Sequence, residues 1–199
     1  MGTIVVFENI SLDGVTQDPT GAEGFTREDW RAGLSASDRE KWAELIVDDA
    51  RGAQALLLGR RSYEYFAARY PYRTGELADL MNGLPKYVLS ASLADPDWKN
   101  STVLKGEAVE AVSELKRAVN GDIRVYASSQ LVRTLIAHDL VDELRLAIFP
   151  LLMGAGDRIF DQTDTPKPLR PKDMHLVGAR TIGTSLTHLT YRRIPDTER

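Results

Sequence analysis

Three turns in this chain carry residues suited to holding phosphate. Gly59-Arg60-Arg61-Ser62 follows the apolar run 53–58, Ser90-Ala91-Ser92 closes the run 86–90, and Ala127-Ser128-Ser129-Gln130-Leu131 closes the run 123–127. A small-residue turn that opens a helix leaves backbone N–H groups free, and the helix dipole adds positive potential there. A guanidinium fork matches phosphate oxygens. An arginine at a helix start works against the dipole, and an anionic ligand supplies a reason for it. Two plainer readings stay open: solvated arginines at 60 and 61, and an ordinary βαβ crossover in which Ser128 or Ser129 caps the helix. One such turn says little. Three on one sheet edge point to a nucleotide-like cofactor with more than one phosphate.

The elements that must position these turns follow from hydropathy patterning. Residues 3–10 form a buried first strand, with Glu8 and Asn9 as polar groups at its far end, where a cleft and a simple exit to solvent explain them equally. Asp13-Gly14 marks a turn, and 16–24 reads as a loop over the end of that strand. Phe25 and Trp30 are aromatics set in this polar region; they anchor the loop or stack on a planar ligand. Residues 35–51 form a helix, with Ser37 as N-cap and Glu40 completing a capping box; Trp42, Leu45, Ile46 and Asp49 share one face. Strands are expected at 53–58, 86–90, 102–104 and 123–127, and helices at 63–70, 76–82 and 107–119. Leu131, Val132, Leu135 and Ile136 give a helical face, and Leu144, Leu146 and Ile148 alternate as a strand. A loop bearing Pro166, Pro168 and Pro171 leads to a terminal hairpin, 174–180 and 185–193. Alternating strands and helices predict a mostly parallel sheet covered on both faces, which binds ligands at the strand carboxyl ends.

At 199 residues the chain is expected to be one domain, 1–199, with core enough to stand alone. A net charge of −4 gives no basic footprint for nucleic acid. With no cysteine there are no disulfides, thiol nucleophiles or thiolate zinc sites, and no metal site is expected. No apolar run approaches the roughly 20 residues of a membrane span. The N-terminus lacks the basic segment of a signal peptide, so a cytoplasmic protein is the default.

Six short motifs add a family likeness. They are SLDG (11–14), LLLGRRSYE (56–64), LPKYVLS (84–90), ASSQLVRTL (127–135), DLVDELRL (139–146) and PLLMGAGDRIF (150–160). In this order they resemble the dihydrofolate reductase-like superfamily, in particular the RibD C-terminal type, the reductase domain of a riboflavin-biosynthesis deaminase-reductase. The resemblance implies an α/β fold, a three-layer α/β/α arrangement with a mostly parallel central sheet and a C-terminal antiparallel hairpin. It implies NADPH across the strand ends and hydride transfer to a small planar heterocycle, pyrimidine-like or pterin-like. Gly59, Arg60, Arg61 and Ser62 correspond to the loop for the adenosine-side phosphates. Ser90 and Ser92 correspond to neighbours of the 2′-phosphate, with Arg61 or Arg60 supplying charge. Ala127, Ser128, Ser129, Gln130 and Leu131 correspond to the pyrophosphate turn. Asn9, Ile10, Asp13 and Gly14 correspond to the nicotinamide side, Asn9 also facing substrate, and Trp30 to part of the lid over the substrate.

The chain departs from that pattern twice. Ala127 stands where relatives have glycine, and its Cβ disfavours positive φ and backbone approach. No carboxylate aligns with the one that dihydrofolate reductases place at the start of the first helix. Asp29, Asp38, Glu40 and Glu44 are in the region, most of them expected to be solvated, so the catalytic residues are unassigned. The alternative to a reductase is a non-catalytic ligand-binding relative. Related domains pair, so a homodimer through residues 139–150 and the terminal hairpin is expected, with a small-molecule substrate as the other partner.

Overall fold

The computed structural model describes residues 1–25, 28–160 and 170–194. Its first strand, β1 (Thr3–Ile10), is the spine of the molecule. Ile4, Val5, Val6 and Phe7 are all buried, because helices cover both faces of the sheet they sit in. After β1 come α1 (Ala36–Arg51), β2 (Ala53–Gly59), α2 (Arg60–Ala67), α3 (Glu76–Gly83), β3 (Lys86–Leu89) and β4 (Ser101–Leu104). Then follow α4 (Ala108–Ala118), β5 (Asp122–Tyr126), α5 (Ser129–Ala137), β6 (Glu143–Ile148), β7 (Met174–Ile182) and β8 (Leu186–Arg193). The eight strands lie in the order β4-β3-β2-β5-β1-β6-β8-β7. All pairings from β4 to β6 are parallel, and β8 runs antiparallel to both β6 and β7. This is the expected dihydrofolate reductase-like α/β architecture.

Alternation along β1 divides the core. Phe7 points into one cluster with Leu45 of α1, Tyr63 of α2, Met81 of α3, Trp30 and Phe149. Ile4, Val6 and Ile10 point into the other, with Val112 and Leu115 of α4 and Leu131, Val132 and Leu135 of α5. Each such fully buried side chain contributes about 1.5–3 kcal/mol relative to exposure.

Local readings change in three places. The N-cap of α1 is Ser35, whose Oγ accepts from Asp38 N at 3.0 Å; Ser37 lies inside the helix. The Asp38 carboxylate is buried instead of solvated, accepting from Thr184 N at 2.6 Å and from the Ser185 hydroxyl, which pins the hairpin turn to α1. That use of Asp38 is a long-range contact and leaves no local sequence mark. The helix expected at 63–70 is α2, which starts at Arg60 and gives way to a 3-10 turn at Tyr70–Tyr72. Trp98 is a core residue ahead of β4, stacked on Tyr70. Pro166 and Pro168 lie outside the described residues. Among the described residues, no helix is long and apolar enough to cross a membrane, and no acid–histidine cluster could hold a metal.

Candidate functional site

The connection leaving β1 carries α1 to one face of the sheet, and the connection leaving β5 carries α5 to the other. β1 and β5 are neighbours, so their carboxyl ends flank a topological switch point, where open α/β sheets bind ligands. The ladder reflects this opening. β1 pairs with β5 only as far as Phe7↔Tyr126, whereas its pairing with β6 continues to Ile10↔Ile148.

The three phosphate-compatible turns meet on this edge, because β2, β3 and β5 run parallel and end together. Gly59 is the N-cap of α2 and Ser128 that of α5, and neither makes a side-chain cap. The N–H groups of Arg60, Arg61 and Ser62, and of Ser129, Gln130 and Leu131, therefore have no intrahelical acceptor. Ser128 was one of two expected caps, but its hydroxyl works between strands. It accepts from Gly59 N at 3.0 Å and donates to Tyr126 O at 3.2 Å, tying the two turns together. The local reason is backbone conformation: Ala127 has φ +51° and Ser128 φ +65°, which turns the Ser128 side chain toward β2. Two successive left-handed residues of this kind are costly without glycine.

The two arginines part company. Arg60 donates to Glu64 Oε1 at 2.7 Å and to Ser92 Oγ at 2.5 Å, so its charge is compensated. Arg61 is exposed and, among the described residues, has no ion pair or hydrogen bond. Ser90 Oγ accepts from Leu93 N at 3.0 Å, closing the turn that presents Ser92. Lys86, from the neighbouring motif, is structural: its ammonium donates to the carbonyls of Asn82, Leu84 and Lys99, and burial brings its pKa down to about 8.

On the other side of the crevice, Asp13 is a brace. Its carboxylate accepts from Met153 N at 3.0 Å, Gly154 N at 2.9 Å and Ser11 Oγ at 2.7 Å. These bonds, led by that from Met153, hold it far below the usual carboxylate range. Asp13 thus shapes the loop, and Gly14, at φ +80°, makes the turn that lets Val15 bridge Arg158. Ile10 is buried and accepts from Phe149 N through its carbonyl, so it contributes backbone and apolar wall.

Toward α1 the crevice is aromatic. Trp30 is 4% exposed and packs edge-on against Phe149, so it anchors the loop. Its Nε1–H is buried without a partner. Asn9 Oδ1 accepts from Trp42 Nε1 at 3.1 Å, leaving the Asn9 NH2 group for a ligand. The carboxylates around the start of α1 are engaged or solvated: Asp29 is paired with Arg31, Asp38 holds the hairpin, Glu44 pairs with Lys41, and Glu40 lies on the exposed helix surface. Sequence reasoning placed Asp49 at the rim of the α1 face. It is buried, bonded to Tyr126 Oη at 2.7 Å and Arg145 Nη1 at 2.5 Å and paired with Arg124 at 3.0 Å. Its sharing a face with Trp42, Leu45 and Ile46 was the available signal.

A family model for the RibD C-terminal domain matches residues 2–188. The chain belongs to the RibD C-terminal domain family. A curated relative, the uncharacterized protein YyaP of Bacillus subtilis (strain 168), is 28% identical over 151 residues, covering 73% of this chain and 77% of that protein. Two solved structures share the fold. A putative riboflavin biosynthesis protein from Shewanella sp. PV-4 superposes with a TM-score of 0.67 at 19% identity, covering 97% of this chain and 99% of that one. Dihydrofolate reductase from Enterococcus faecalis, complexed with NADP(H), gives 0.59 at 16% identity, covering 97% of each. The RibD C-terminal fold seen here is thus a reductase-type fold over essentially its whole length.

Proposed function

We propose that this protein is an NADPH-dependent oxidoreductase acting on a small planar heterocycle of pyrimidine or pterin type. One observation carries the reading: two uncapped helix N-termini, fastened together by Gly59 N–H and Ser128 Oγ, open beside an unpaired Arg61 at the β1–β5 crevice. That is a polyanion cradle with a free cation at its rim. The N–H groups of residues 129–131 and of residues 60–62 would hold the two phosphates of the pyrophosphate, the adenosine-side one at 60–62, and Arg61 would pair with the 2′-phosphate. When bound, the nicotinamide supplies the hydride. The protein's own part is positional: Ile10 and Phe149 wall the crevice, Asp13 fixes the loop beside it, and Asn9 offers its NH2 group to the second ring. Asp29, Asp38 and Glu44 are engaged elsewhere and Glu40 faces solvent, so in this reading the proton comes from water.

Calorimetric titration with NADPH and NADH tests this. Micromolar or tighter NADPH, a clear preference over NADH, and loss of that preference in Arg61→Ala are expected. Absence of binding to either nucleotide, or no turnover across a broad heterocycle panel, overturns the enzyme reading. A second reading, a ligand-binding relative without turnover, draws on the Cβ of Ala127 at the cradle and on the engagement of Asp29, Asp38 and Glu44 elsewhere.

A further inference from the structure

Glu8 breaks the pattern of its strand. It shares the inward face of β1 with Ile4, Val6 and Ile10, is 5% exposed, and its Oε1 is buried without a hydrogen-bond partner among the described residues. Such burial of an ionised carboxylate is costly, and burial alone pushes the Glu8 carboxyl well above the usual carboxylate range. Its place is specific. Glu8 is opposite Leu146 of β6, but one residue beyond the last β1–β5 pair, where the ladder opens and β5 turns away through Ala127. Among the described residues nothing bonds this carboxyl, and its residue lies where the crevice opens.

We propose that Glu8 holds its carboxyl group for a ligand that enters between β1 and β5 and presents an amide edge, O=C–N–H, to it. The proposal rests on the nucleotide-dependent reading above. A neutral carboxylic acid carries a donor and an acceptor side by side: its O–H donates to the amide oxygen, and its C=O accepts from the amide N–H. In an apolar surround this double contact discriminates strongly, since a ligand lacking it leaves both partners unpaired. The edge belongs either to the carboxamide of a nicotinamide or to the lactam of a pyrimidine or pterin ring.

Two variants separate the role from folding. Glu8→Gln keeps a donor beside an acceptor, and Glu8→Leu removes both. Each is titrated with NADPH, with the analogue whose carboxamide is replaced by an acetyl group, and with uracil and pterin compounds. Thermal unfolding of the unliganded variants runs alongside. Glu8→Leu is expected to unfold at the same or a higher temperature, because it removes an unpaired buried polar group, yet to bind tenfold or more weakly. Glu8→Gln stays within about threefold of wild type. A Glu8→Leu penalty that vanishes with the acetyl analogue assigns the edge to the cofactor; a penalty confined to the heterocycles assigns it to the substrate. Wild-type affinity for every compound in Glu8→Leu overturns this inference and leaves the reductase reading standing. A wild-type protein that binds none of them overturns both.

Discussion

Ala127→Gly is expected to make this protein more stable and better at holding a dinucleotide. Ala127 has φ +51°, and an L-residue in the left-handed region costs about 1–2 kcal/mol. Glycine removes that cost but gives the unfolded chain more freedom, worth about 0.4–1 kcal/mol against the fold. The difference leaves a net gain of about 0–1.5 kcal/mol, or a rise in Tm of up to about 6 °C for a domain this size. Ser128→Gly is the matched control. Ser128 has φ +65°, so the same backbone relief applies, but the hydroxyl that accepts from Gly59 N–H and donates to Tyr126 O is lost. Two broken bonds at about 1 kcal/mol each offset the relief, so this variant should gain nothing or lose stability. Thermal unfolding of both variants, with and without NADPH, reads the comparison. In the glycine variant at 127 the NADPH-dependent rise in Tm should grow, since the exposed Cβ no longer limits approach to the turn. If Ala127→Gly lowers Tm, or if Ser128→Gly raises it equally, the assignment of strain to 127 and of tethering to Ser128 is wrong.

The remaining predictions concern the C-terminal hairpin. Burial, followed by repulsion from Arg180, lowers the His188 pKa to about 4 from an unfolded 6.5. The unfolded chain therefore binds the extra proton first, and stability present above pH 6.5 is lost as pH falls toward 4, by up to about 3 kcal/mol. His188→Phe, which keeps the stack on Phe7, should flatten denaturation midpoints across that window; an unchanged acid slope refutes the assignment. Gly183→Ala should destabilise the hairpin turn, because φ is +63° and a Cβ would sit 1.9 Å from Asp38 Oδ1. The backbone contribution alone is about 1–2 kcal/mol, read as a drop in the urea midpoint; wild-type stability would mean the turn is not held by α1. We further propose a homodimer through the outer strand β7, which exposes Leu176 at 54% and Val177 at 50%. Light scattering should give twice the mass of the 22.1 kDa chain at micromolar concentration, and a monomer removes the idea.

Much of the architecture was readable from residue order. Hydrophobic period is a local property, so the apolar strands, the amphipathic α4 and α5, and the terminal hairpin declared themselves. Parallel strands joined by crossovers must end on one edge, which is why the turns at 59–62, 90–92 and 127–130 could be assigned to one site from residue order. Composition by itself ruled out disulfides and cysteine chemistry. Nothing local could say what Asp38 and Asp49 do, because their partners at Thr184, Ser185, Tyr126, Arg124 and Arg145 come from distant elements. The capping box at Ser37 failed for a local reason: Ser35, two residues earlier, takes the N-cap by accepting from Asp38 N. Of the two adjacent arginines, sequence could not choose; Glu64 and Ser92 engage Arg60 and leave Arg61 free. Glu8 was visible as a polar residue at a strand end, with a cleft and solvent equally open to it. Only the tertiary structure buries it, because only packing decides that the sheet opens toward β5 at that residue while its inward face stays covered by the core around Val6 and Ile10.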